Sequence, residues 1–141
     1  MKQFLSPLLR TALPALALLA GQAGAACGDK LPATGRQFAD GDTLRIAFTP
    51  RVWPVPVGRL FAMDIELCFP TAGDAALPLR VDADMPSHQH GMNYRSTVTM
   101  LAPGRYVAEG LMFHMPGRWR FVFDLRDGAA AASASSTIDV L

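Results

Sequence analysis

The chain has 141 residues, two cysteines, three histidines and a formal net charge of +1. Its length fits one ordinary domain, and its near-neutral charge leaves no electrostatic footprint for nucleic acid. It contains neither a G-x-S-x-G elbow nor an H-E-x-x-H pair, so these signatures of hydrolytic catalysis are excluded and no enzyme is expected.

Residues 1–26 have the layout of a cleaved signal peptide: Lys2 and Arg10 make a basic start, an apolar run follows, and small residues Ala23, Gly24, Ala25 and Ala26 close it. The run is shorter than the roughly 20 residues of a bilayer span, and Pro14 interrupts it as a helix. No retained membrane span is expected, and the mature domain, 27–141, is placed in the periplasm. Acylation of Cys27 as a lipoprotein ranks second, because Gly24 stands where a large aliphatic residue is needed. Cleavage removes Lys2 and Arg10 and no acidic residue, so the formal charge falls from +1 to −1.

Along the mature chain, apolar and polar residues alternate. Leu44, Ile46 and Phe48 define a strand over 44–48; Phe61, Met63, Ile65, Leu67 and Phe69 one over 61–69; Leu77, Leu79, Val81 and Ala83 one over 77–84. Further strands are predicted over 94–101, 105–113, 119–125 and 137–141, with turns at Ala102-Pro103-Gly104 and Met115-Pro116-Gly117. The expected fold is all-β: an antiparallel immunoglobulin-like β-sandwich of about seven strands. The proline-rich segment 50–57 is expected to cross between sheets, and the Ala/Ser-rich segment 128–136 to be a loop without function.

Cys27 and Cys68 are an even pair in an exported chain, which points to a disulfide. The rival reading, two thiolate metal ligands, fails on spacing: there is no C-x-x-C, and neither cysteine is near a histidine.

Every histidine lies in one of two short stretches, Met85-Pro86-Ser87-His88-Gln89-His90-Gly91-Met92 and Met112-Phe113-His114-Met115-Pro116-Gly117. Strands 94–101 and 105–113 pair as a hairpin whose open end brings the two stretches to one edge of the sandwich. Thioethers select Cu(I), and imidazole suits copper in either oxidation state. Zinc would prefer cysteine, histidine and carboxylate ligands, and Asp82 and Asp84 are expected to point away. Without a cysteine thiolate this is no blue-copper electron-transfer site. The candidate copper ligands are His88, His90, Met92, His114 and Met115, with Cu(I) favoured. The bland reading keeps Met85, Met100 and Met112 as core fillers, one histidine as a structural loop residue, and Glu109 as a solvent-facing or arginine-paired carboxylate.

The stretch Met85-Pro86-x-His88-x-His90-Gly91-Met92, with Gly104-Arg105-Tyr106-x-x-Glu109-Gly110-Leu111-x-Phe113-x-Met115-Pro116-Gly117-x-Trp119 and the upstream Pro54-x-Pro56-x-Gly58-x-x-Phe61, resembles the YtkA-like family. The resemblance covers roughly residues 54–124. It implies a small exported immunoglobulin-like domain related to FixH-type proteins, which are linked to copper delivery. The chain departs from FixH-type proteins in lacking a retained anchor, and from CopC-type carriers in lacking an N-terminal histidine. Two readings follow. One is a periplasmic copper-binding protein, a carrier or sequestering module that hands its metal to a periplasmic copper-receiving protein. The other is a non-catalytic interaction or accessory domain without metal, in which exposed Trp53 and the proline segment meet a protein partner.

Overall fold

The computed structural model describes residues 25–68, 70, 73–128 and 130–141. The expected signal peptide lies outside these residues apart from Ala25 and Ala26, as does Phe69. Among the described residues there are nine strands: β1 (Gln37–Asp40), β2 (Arg45–Pro50), β3 (Phe61–Leu67), β4 (Leu79–Met85), β5 (His90–Gly91), β6 (Thr97–Ala102), β7 (Arg105–Leu111), β8 (Gly117–Asp127) and β9 (Ala130–Val140). No helix among them is long and apolar enough to cross a membrane.

Alternation decides which face turns inward. Phe61, Met63, Ile65 and Leu67 of β3 are buried, as are Leu79, Val81, Ala83 and Met85 of β4 and Trp119, Phe121, Phe123 and Leu125 of β8. All strands pair antiparallel in the order β5-β4-β8-β9-β1-β2-β3-β7-β6, one sheet curled into a half-barrel. Because of the curl, Phe48 of β2 meets Phe121 and Phe123 of β8 at ring-centroid distances of 5.3 and 5.0 Å, although β9 and β1 stand between them in sheet order. The two outer ends of the sheet are laced together where Ser96, just before β6, donates its hydroxyl to the Val81 carbonyl of β4 at 2.6 Å. Truncating one of these packed aromatic rings to alanine would cost about 3–5 kcal/mol.

The outer face of β2 is covered too. The segment before β1 lies over it, packing Leu31 and Cys27 against Ala47 and Cys68. Thr49 donates to the Pro32 carbonyl at 3.1 Å, and Cys27 and Cys68 form a disulfide. β2 is therefore buried on both faces from Ile46 to Pro50.

Several expectations need correction. The sheet has nine strands where about seven were expected, because β1 and β5 are too short to show a period. Residues 130–136 are strand and not loop: β9 pairs with β8 along its whole length, from Asp127↔Ala130 to Gly117↔Val140. Alanine and serine are small enough to sit in a ladder whose partner strand supplies the bulk. Residues 50–57 do not cross between sheets. Pro50 pairs with Met63, and the Arg51 amide donates to the Ala62 carbonyl, so the segment opens the connection between neighbours β2 and β3. Met100 is 39% exposed on edge strand β6 and fills no core.

Candidate functional site

The first histidine stretch is shaped by the end of β4. Pro86 has no backbone donor to continue a ladder, and residues Pro86–His88 form one 3-10 turn. Gln89 follows in the left-handed region, with φ 55° and ψ 35°, a conformation uncommon outside glycine. It reverses the chain so that β5 pairs back on β4, with His90 opposite Met85 and Gly91 opposite Asp84. Directly opposed residues of an antiparallel pair share a face. Met85 faces the core, so His90 turns inward and is half-buried. The Met92 amide donates to the Ala83 carbonyl at 3.0 Å, and its side chain packs against the core. His88 remains on the turn, exposed.

The second stretch leaves β7 after Leu111. Phe113 is fully buried. Its backbone bridges to Val57, and its carbonyl accepts from the Gly58 amide at 2.7 Å. The Phe113 ring lies 4.7 Å from Trp119 and 5.4 Å from Phe61. His114 and Met115 follow, both half-buried. The Met115 carbonyl accepts the Trp119 indole N–H at 3.1 Å. Gly117 sits at φ +133°, and a Cβ there would stand 3.0 Å from Cε of Met85. The absence of a side chain lets Met85 of the first stretch lie against the second.

The two stretches therefore meet. The rings of His90 and His114 are 5.0 Å apart, and His88 is 5.7 Å from His90. Beneath them is Trp119, with no exposed surface. It stands edge-to-face with both inner imidazoles, at 5.7 Å and 63° from His90 and 5.3 Å and 83° from His114. Nδ1 of His90 and Nδ1 of His114 are each buried without a hydrogen-bond partner. A buried polar atom left unpaired costs about 1–3 kcal/mol, so two on neighbouring rings need a physical reason.

The surroundings carry little charge. Asp84 accepts from Arg120 Nε at 2.9 Å, and Asp82 accepts from Arg80 and from the Ala83 amide, each at 2.8 Å. Both carboxylates are committed to partners on the outer face of β4. Among the described residues no group of three His, Cys, Asp or Glu side chains is set to hold a metal ion. A metal held here would need thioethers to complete its shell, and Met92, Met112 and Met115 are half-buried and flank the imidazoles in sequence. Such neutral, soft-leaning donors match copper better than zinc.

Sequence reasoning missed the part played by Trp119. It reads as one more inward residue of an alternating strand, yet it forms the floor under His90 and His114. Its nearness to the Met115-Pro116-Gly117 turn was the available signal. Compared with protein families, with curated proteins and with solved structures, the chain matches none.

Proposed function

We propose that the protein binds copper in the periplasm as a carrier or sequestering module, holding Cu(I) between His90, His114 and the thioethers of Met92 and Met115, with His88 at the rim. One observation carries the reading: two half-buried imidazoles 5.0 Å apart, each with a buried Nδ1 that no protein atom satisfies. A coordinated ion would satisfy those nitrogens, and a neutral donor set free of carboxylates favours a soft monovalent ion. The resemblance to the YtkA-like family agrees with this reading. So does an immunoglobulin-like sandwich, if the sheet is taken as two leaves on either side of its narrowest link, Asp40↔Ser135 between β1 and β9. The recipient is then a copper-receiving protein of the same compartment.

The test is competition for Cu(I) against a chromophoric chelator. The mature protein should take up one ion. Changing His88 and His90 together to Ala should weaken binding by at least about tenfold, or about 1.4 kcal/mol. Failure of the unaltered protein to compete for Cu(I) or Cu(II) removes the reading.

The non-catalytic interaction domain also has an observation in its favour. Val52, Trp53 and Leu60, all on the connection between β2 and β3, are 48%, 41% and 65% exposed. Under that reading copper is not taken up, and Trp53→Ala abolishes partner binding while the histidine variants leave it intact.

A further inference from the structure

The three histidines of the site are not equivalent. His90 and His114 are half-buried, stand against Trp119 and have their Nδ1 atoms shut off from solvent. His88 is exposed on the three-residue turn Pro86–His88, with its ring 5.7 Å from His90. We infer that His88 is the exchange ligand: the donor through which Cu(I) arrives and leaves, and the point where a copper-receiving partner's thioether or imidazole meets the ion. This inference rests on the copper reading and deepens it.

The physical argument is one of access. Passing an ion directly between proteins requires the incoming donor to reach the metal before the outgoing one has released it. Otherwise the ion must be set free with an empty coordination position, at high energetic cost. The inner pair, half-buried and with buried Nδ1 atoms, is the harder to approach. Trp119, fully buried, stands edge-to-face against both rings, and Met92 and Met115 pack against the core. His88 is the most exposed imidazole of the three. Its position is held, because Pro86 opens the turn and Gln89, at φ 55°, closes it. A preset rim ligand lowers the barrier in both directions, since less ordering is needed at the moment of contact.

In the step itself, the partner's thioether or imidazole forms a bond to Cu(I) and the bond from His88 to Cu(I) breaks. His88 returns to solvent as a neutral imidazole with its own lone pair. Copper remains Cu(I), and no electron or proton is transferred. His90 and His114 are then replaced in turn by further donors of the partner. Loading follows the same steps in reverse.

The chain has two tryptophans, so Trp53→Phe leaves Trp119, beside the inner imidazoles, as the sole indole reporter. In that background, Cu(I) uptake is followed anaerobically by quenching of Trp119 fluorescence, and withdrawal is followed with bicinchoninate as acceptor. His88→Ala should slow both uptake and withdrawal by about tenfold while changing Kd by less than about threefold. His88→Met, which restores a soft donor at the rim, should bring both rates back toward the parent. His114→Gln should instead raise Kd by more than about tenfold through faster release. Unchanged rates in His88→Ala, or a loss of affinity as large as that of His114→Gln, overturn the inference and leave the copper reading standing. If the parent itself shows neither quenching nor copper transfer to bicinchoninate, the copper reading falls and takes the exchange role with it.

Discussion

Where β3 ends, the half-barrel is closed by bonds of every kind. Cys68 is joined to Cys27, and its amide donates to the Arg45 carbonyl at 2.9 Å. The Gly104 carbonyl accepts from Leu67 at 2.8 Å, the Gly104 amide donates to Ala75 at 2.7 Å, and the Tyr106 hydroxyl reaches the Leu77 carbonyl at 2.7 Å. Where β3 begins, at Phe61, the opposite end is closed by aromatic packing against Phe113, and His90 and His114 beyond it keep buried nitrogens unpaired. One end is cross-linked, although Glu66 Oε2 and Arg36 Nε near it are buried without a partner, and the other has its two unpaired nitrogens on neighbouring imidazole rings. Unpaired buried nitrogens cost stability, and a disulfide contributes it.

The largest expected effect breaks the cross-linked end. Cys27 and Cys68 are 41 residues apart in sequence, and a loop of that size restricts the unfolded chain by about 4 kcal/mol. Changing both to Ala should lower unfolding free energy by roughly 3–4 kcal/mol in urea titration, with Cu(I) affinity of the folded fraction unchanged. Thiol counting on the unfolded, unreduced parent should find no free thiol. Equal loss of copper affinity would show that the two ends are not independent.

A smaller effect, of opposite sign, sharpens the contrast. His114→Phe replaces an imidazole that has a buried unpaired nitrogen with an apolar ring of similar shape beside Trp119. Removing that desolvation cost should raise the stability of the copper-free protein by about 1 kcal/mol, while copper binding is weakened at least about tenfold. A drop of several kcal/mol would mean that His114 holds the loop together and that its nitrogen has a partner in solution.

This division was partly legible in the sequence. β3, β4 and β8 announce themselves because each alternates large apolar residues with charged ones, and such alternation survives in a strand with one buried face. The first part of β9 did not, since Ala132, Ser133, Ala134 and Ser135 carry almost no contrast between faces and their pairing is dictated by β8, whereas its last residues fall in the strand expected over 137–141. The gathering of His88, His90 and His114 at one edge followed from the β6–β7 hairpin and its open end. Their inequality did not follow, because it depends on Gln89 adopting a left-handed conformation that nothing in a glutamine side chain demands. The disulfide pair was readable from compartment logic alone, whereas the covering of β2 by the segment that Cys27 leads was hidden, since that segment has no period.

The smallest expected effect lies at the cross-linked end and depends on pH. Tyr106 is buried, and burial raises its phenol pKa above the ordinary value, because the charged phenolate would lose hydration. The unfolded chain releases this proton near pH 10, and the folded chain holds it to higher pH. In that interval the native state binds more protons than the unfolded state, so stability falls as pH rises. The contribution of Tyr106 is therefore complete below about pH 10 and is lost as pH climbs through the raised value. Tyr106→Phe removes the hydroxyl that donates to the Leu77 carbonyl and should cost about 1 kcal/mol at neutral pH. The parent's advantage over this variant should then shrink above about pH 10 in urea titrations at stepped pH. If the two proteins lose stability in parallel across the alkaline range, the Tyr106 hydroxyl contributes no pH-dependent closure at this end. Cu(I) affinity measured at neutral pH should be the same in both, because Tyr106 and the imidazoles lie at opposite ends of the half-barrel.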